Sequence, residues 1–216
     1  MTRRPIACAC FDLGGVVVRI CRSFEEAALA AGVPLRPVPA DEAIVRQRHD
    51  LSLRHQRGEF DAPTFHRLMS GTFAGAYSPA EIARVSAAVL REEYTGVAEL
   101  IRALGAAGLM TACLSNTNDE HWERLVELPA LRALHHRHAS HLWSLAKPDP
   151  AIFRRFEAER GVAGQAIVYF DDLAENVEAA RAAGWDAILV DHTGDTAAAM
   201  RAALAERGIV LTASAC

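Results

Sequence analysis

The 216-residue chain contains no apolar run approaching the ~18 residues that a membrane-spanning helix requires. Its start, MTRRPIACACFDLGG, lacks the pattern of a signal peptide. Positive charge is not in excess, since 23 basic and 27 acidic side chains leave a net charge of −4. No partnership with nucleic acid or with an anionic membrane is therefore expected. Internal repeats and low-complexity linkers are also missing, so the length suits one domain, or one domain carrying a large insertion. The five cysteines are odd in number and irregular in position, which provides no disulfide framework. Cys8 and Cys10 lie two apart on an expected strand and read as small core residues. Cys216 reads as an exposed terminal thiol. What is left is an ordinary globular composition, 51% hydrophobic and 23% charged, with the cytoplasm as its expected location.

The apolar segments are short and evenly punctuated. IACACF (6–11), LMTACL (109–114), AIVYF (166–170) and AILV (187–190) read as buried strands of a parallel sheet, with HHRH (135–138) as a weaker one. Between them lie helices with clear ends. Asp149 caps a helix that Pro150 opens and Gly161 closes, and AENVEAARAAG (174–184) and DTAAAMRAALAERG (195–208) follow the same plan. Strands alternating with helices predict a doubly wound α/β sheet with right-handed crossovers.

Residues 21–94 interrupt that alternation and read as helices throughout. The last of them opens with Ser78, Pro79 and Glu81, a capping box with proline in first position. The simplest arrangement is an all-helical insertion (21–94) in a core made of residues 1–20 and 95–216.

Ligands of open α/β sheets bind beyond the carboxyl ends of the strands. Polar residues stand at four such ends: Asp12 after the first strand, Ser115 and Asn116 after the second, Lys147 after the third, and Asp171 with Asp172 after the fourth. Each alone has a structural explanation as a turn residue, a helix cap, a surface lysine or an acidic helix start. Together, three carboxylates, a hydroxyl and a lysine describe a Mg²⁺ site beside a phosphate site. The histidine-rich HHRHASH (135–141) reads instead as partly exposed side chains on a short edge strand.

The motifs CFDLGGVVV, LSN, KPDPAIF and YFDDLAENVEAARAAG, in this order, resemble the four motifs of the haloacid dehalogenase superfamily over essentially the whole chain. QRGEFDAPTF (56–65), LSNTN and FDD…N are similar to a bacterial branch typified by α-D-glucose-1-phosphate phosphatase. The resemblance implies a sheet in the order 3-2-1-4-5 with a helical cap between the first two motifs. It also implies a Mg²⁺-dependent phosphatase acting on a small phosphorylated metabolite such as a sugar 1-phosphate. Asp12 would be the nucleophile that forms an aspartyl-phosphate. Asp12, the Gly14 carbonyl and Asp172 would ligate Mg²⁺, with Asp171 and Asn176 around them. Ser115, the Asn116 backbone N–H and Lys147 would hold the phosphate.

The chain departs from the family pattern at Gly14, where most family phosphatases carry an aspartate. The carbonyl survives, but the side chain that would protonate the leaving oxygen does not. Three readings follow: a substrate with an acidic leaving group, an acid supplied from the cap by His49, His55, Glu59 or His66, or weak activity. The alternative enzyme is a metal-independent 2-haloacid dehalogenase, which the acidic pair Asp171–Asp172 disfavours. A phospho-acceptor or binding module is the alternative outside enzymes, and the large insertion disfavours it.

Overall fold

In the computed structural model, residues 5–38 and 41–211 are described; the expectation for Cys216 lies outside them. The chain begins with β1 (Cys8–Phe11) and β2 (Val18–Ile20), then runs through α1 (Phe24–Ala30), α2 (Glu42–Gln56), α3 (Ala62–Gly71) and α4 (Pro79–Ala88) to β3 (Leu90–Glu93). It continues with α5 (Val97–Ala106), β4 (Met110–Ser115), α6 (Asp119–Leu125), α7 (Pro129–Ala133), β5 (His136–Ala139) and α8 (Ser140–Trp143). It ends with α9 (Pro150–Arg160), β6 (Ile167–Asp171), α10 (Ala174–Ala182), β7 (Asp186–Leu189) and α11 (Thr196–Ala205).

Five strands form one parallel sheet in the order β5-β4-β1-β6-β7. Counted along the chain this is 3-2-1-4-5, the doubly wound order expected from the motifs. Every residue of β1 is buried, and its alternation divides the core in two. Ala9 and Phe11 face one side, against Val97, Ile101 and Leu104 of α5 and Met200 of α11. Cys8 and Cys10 face the other, against Phe153 and Phe156 of α9 and Trp185. Burial pushes the Cys8 thiol up to about 12, so it is packing material rather than a reactive group.

The end signals operate as the sequence predicts. Ser78 and Glu81 close a reciprocal capping box under Pro79, the Asp149 side chain accepts from the Ala151 N–H, and Gly161 ends α9 at φ 64°. These bonds satisfy backbone groups that a helix end would otherwise leave open.

The structure corrects the reading of residues 21–94 as helical throughout. Helix α4 stops at Ala88, and Leu90–Glu93 pairs antiparallel with Val18–Ile20, Ile20 opposite Leu90 and Val18 opposite Glu93. The Tyr94 N–H donates to the Val17 carbonyl (2.9 Å) and the Cys21 N–H to that of Val89 (2.9 Å). The β-branched run before Ile20 supplies a strand that recruits LREE, and that pairing overrides helix propensity. Helices α1 to α4 bury a cluster of their own that includes Ala28, Leu51, Phe73, Tyr77, Ile82 and Val85. The two-stranded ribbon thus joins both ends of the four-helix segment to the sheet.

Candidate active site

Strand β1 is central in the sheet, with Phe11 in register with Cys113 on β4 and Phe170 on β6. The residues just beyond these positions converge: Asp12, Ser115 and Asn116, Asp171 and Asp172. Lys147 joins them from the loop between α8 and α9. Among the chain's 23 basic side chains it is the only lysine.

Lys147 is 2% exposed. Its Nζ lies 2.9 Å from Asp12 Oδ1, 2.7 Å from Asp171 Oδ2 and 2.8 Å from the Tyr169 hydroxyl. Burial opposes the ammonium charge, but the carboxylates of Asp12 and Asp171 more than offset it and hold Lys147 above the ordinary lysine range. A compact ammonium with three donors suits three neighbours in different directions. The loop is clamped by Asn116, whose Nδ2 donates to the Lys147 carbonyl and whose Oδ1 accepts from the Lys147 N–H, both at 2.8 Å.

The three carboxylates are not equivalent. Asp171 also accepts from the Tyr169 hydroxyl (2.5 Å), the Leu173 N–H (2.9 Å) and Asn176 Nδ2 (3.1 Å). Burial would raise it, yet the charge and hydrogen bond of Lys147 hold it below the usual carboxylate range. Burial pushes Asp12 up to about 6 despite Lys147. Asp12 Oδ1 and Asp172 Oδ2 are both buried without an aligned hydrogen bond. Each instead sits in an ion pair, Asp172 with Arg22 Nη2 at 2.5 Å. Ligand oxygens of Asp12, Asp171 and Asp172 lie within 4.8 Å of one another, the one such group of three or more potential ligands among the described residues. Hard oxygen donors carrying this much negative charge fit Mg²⁺.

The paired glycines differ in kind. Gly15 has φ +78°, and a Cβ there would strike Asp172 and Arg22. Gly14 is outside the left-handed region, and the nearest atoms a Cβ would meet all belong to the Ile20 side chain, with Cδ1 the closest at 3.1 Å. Backbone geometry thus demands glycine at 15 but not at 14.

A cavity of about 640 Å³ borders Leu13, Gly14, Ser115 and Asn116 and extends to the four-helix segment. His49 and His55 line it, but His55 Nε2 is tied to Asp119 Oδ1 at 3.0 Å. Two other candidate acids are occupied too, His66 with Glu120 (3.2 Å) and Glu59 with Arg54 (2.7 Å). Arg46 pairs with Glu42 and Arg54 with Glu59, and the arginines that line the cavity are Arg22 and Arg48. Arg22 was missed because it follows β2, a strand the pattern did not reveal. Arg48, Ser52 and His55 form a stripe at helical spacing on α2, and that signal was readable.

The histidine stretch requires one correction. His138 is buried against Trp143 and Phe156, with ring centroids at 4.6 and 5.1 Å. Burial pushes it down to about 4, so it is a neutral core ring rather than a partly exposed one. His136 Nδ1 accepts from Arg160 at 2.7 Å.

Residues 6–184 match the haloacid dehalogenase-like hydrolase family. A phosphatase of Mycobacterium tuberculosis is 37% identical over 73 residues, which spans 34% of this chain and 34% of that protein. Among solved structures, a haloacid dehalogenase family enzyme of Bacteroides thetaiotaomicron superposes with a TM-score of 0.76 at 20% identity, covering 92% of this chain and all of that one. The same enzyme has been solved with magnesium and inorganic phosphate, at TM-score 0.72 and 19% identity, covering 91% of this chain and all of that one. L-2-haloacid dehalogenase of Xanthobacter autotrophicus shares the fold at TM-score 0.62 and 19% identity, over 92% of this chain and 82% of its own.

Proposed function

Because the chain belongs to the haloacid dehalogenase-like hydrolases, we propose that it is a Mg²⁺-dependent phosphatase of small phosphate monoesters that works through an aspartyl-phosphate on Asp12. The observation that carries this reading is the cluster of three carboxylates, Asp12, Asp171 and Asp172, with the single buried lysine paired to the first two. Residues 1–20 and 95–216 form the catalytic core, and residues 21–94 act as its cap.

Asp12, Asp172 and the Gly14 carbonyl would hold the metal, with Asp171 and Asn176 orienting from behind. When bound, Mg²⁺ would neutralise phosphate oxygens and charge developing in transfer. In the first step an Asp12 oxygen bonds to phosphorus and the P–O bond to the leaving group breaks, its electrons departing with that oxygen. Ser115, the Asn116 N–H and Lys147 hold the other phosphate oxygens. Water then attacks the phospho-aspartate, freeing phosphate and restoring Asp12. Lys147, bridging Asp12 and Asp171, holds the nucleophile in place while the chemistry proceeds.

With glycine at 14, the leaving oxygen must tolerate negative charge. Among family substrates the sequence resemblance points to a sugar 1-phosphate, whose anomeric oxygen meets that condition better than a primary alcohol. A 2-haloacid dehalogenase is the second reading, and the shared fold with one such enzyme keeps it in view. The acid cluster opposes it, since a carboxylate substrate would meet like charge. Purified protein assayed with Mg²⁺ against phosphate esters and fluoroacetate tests both. Phosphate release abolished by chelator supports the phosphatase, and metal-independent fluoride release overturns it.

A further inference from the structure

The cavity wall opposite the catalytic aspartate narrows the substrate class beyond phosphate monoesters in general. At one end stand Gly14, Ser115 and Asn116; the remainder mixes polar side chains with a larger apolar surface that includes Leu13, Ile20, Phe24, Val45, Phe65 and Leu90. Its volume of about 640 Å³ lies within the range of sites that enclose drug-sized ligands.

The polar side chains along this wall are largely engaged within the protein. Arg48 donates to Thr72 Oγ1 and to the Thr72 carbonyl, at 3.1 and 2.9 Å, and lies 3.9 Å over the Phe73 ring. Ser52 Oγ donates to the Arg48 carbonyl at 3.0 Å, and Ser86 Oγ to Glu120 at 2.9 Å. His55 is bound to Asp119, His121 Nε2 to the Ser86 carbonyl at 2.9 Å, and Asn118 accepts from the His121 N–H at 2.9 Å. Of the remaining polar side chains, Arg22 pairs with Asp172, Ser23 caps α1, and Glu25 and His49 are solvent-exposed, which leaves the Gln56 amide and Thr117 Oγ1 to meet a ligand. A hydroxyl-rich leaving group would lose its water here and find few free partners, at a cost in free energy for each unpaired hydroxyl.

Two constraints therefore meet at one site. The wall favours an apolar leaving group, and Gly14 favours an acidic leaving oxygen, which puts the aliphatic alcohols at a disadvantage. We propose that the substrate is a phosphate ester of a phenol, with the aromatic skeleton in the cavity against Phe24, Phe65 and Val45. This rests on the phosphatase reading and replaces the sugar 1-phosphate within it.

The test compares kcat/KM with Mg²⁺ for acetyl phosphate, phenyl phosphate, 1-naphthyl phosphate and α-D-glucose 1-phosphate. Phenyl and naphthyl esters differ little in leaving-group acidity, so their ratio reports the cavity alone. We expect naphthyl over phenyl by at least about tenfold, with glucose 1-phosphate slowest. Val45→Asp, at a position 51% exposed, should bring the naphthyl-to-phenyl ratio close to one; Phe65→Ser serves if that variant does not fold. A wild-type ratio near one, a ratio unmoved in a folded variant, or glucose 1-phosphate matching the naphthyl ester would overturn the inference. Acetyl phosphate separates the two levels. If it is hydrolysed, such a failure concerns the aromatic substrate only; if no ester releases phosphate, the phosphatase reading falls and the inference with it.

Discussion

At the tips of the sheet the charged groups are matched to one another and to their neighbours: Lys147 to Asp12, Asp171 and Tyr169, and Asp171 to a backbone N–H and Asn176. Across the cavity the four-helix segment turns mainly carbon toward that cluster, with several of its polar groups bonded within the segment or to α6. The two sides are also fixed differently. Side chains at the tips are placed by strand register, which tolerates no slip without reversing every side chain. The opposite wall is placed by helix packing, which tolerates volume-conserving exchange. On the proposed function, the contrast predicts that reaction chemistry and substrate choice respond to different kinds of substitution.

The largest expected effect breaks the first side alone. Asp12→Asn keeps the shape of the carboxylate and removes the nucleophile. Turnover should fall by at least about a thousandfold, with the circular dichroism spectrum and unfolding midpoint close to wild type. Retention of more than a few per cent of activity in that variant would exclude Asp12 as nucleophile.

Lys147→Met should damage both stability and turnover. It would leave Asp12 and Asp171 buried side by side without their shared cation, and losing one partner of a buried charge network costs about 3–5 kcal/mol. Denaturant unfolding measures this directly. A loss below about 1 kcal/mol would mean that Asp12 simply takes up a proton and the lysine carries little structural load.

Metal binding sharpens the comparison within the acid cluster. Asp172→Ala should weaken Mg²⁺ binding by calorimetry more than Asp171→Asn does, since Asp171 is already saturated with protein donors. An outer partner is worth about 10–100-fold in metal affinity, and a direct ligand should exceed that. The pH dependence has a defined sign. Burial sets the metal-free Asp12 at about 6, so above that pH it is ionised and available. Below it, a proton competes with the metal, and affinity should fall by about tenfold per pH unit. Affinity independent of pH between 5 and 7 would show that Asp12 is not a ligand.

These contrasts also explain what could be read in advance. Strands such as IVYF announce themselves because a buried parallel strand is a continuous apolar run, and an acid directly after one is conspicuous. That is why Asp12 and Asp171 could be chosen by number; Ser115 and Lys147 were legible as polar residues following expected strands, although α8 separates Lys147 from β5. Tyr169 escaped notice as a core aromatic, although period-two alternation places it on the same side as Asp171. Strands β2 and β3 were hidden for another reason: LREE has no strand character until VRI is beside it. Arg22, which follows β2, disappeared with it. The cavity wall was unreadable because its character depends on which polar groups are already bonded, a property of the packed helices and not of residue type.

The smallest effect probes the border between the two sides, at Gly14. In most family phosphatases the aspartate at this position protonates the leaving oxygen, so restoring it should help leaving groups that bear charge badly. The backbone allows the change: Gly14 is outside the left-handed region, and the new Cβ would press only on Ile20 Cδ1, the mobile end of a side chain. Gly15 could not be exchanged in the same way, because its φ of +78° disfavours any side chain. A newly placed acid lacks the surroundings that tune its pKa, so the gain should be about tenfold, below the ~10²–10⁴ of an evolved one. We therefore expect Gly14→Asp to raise kcat/KM for a primary alkyl ester such as a sugar 6-phosphate by about tenfold, and to leave phenyl phosphate little changed. The slope of log kcat/KM against leaving-group acidity should become shallower. An equal loss for both ester classes in a folded variant would instead place an acid elsewhere in the cavity. His49, which lines the cavity and is exposed to solvent, would be the first residue to replace.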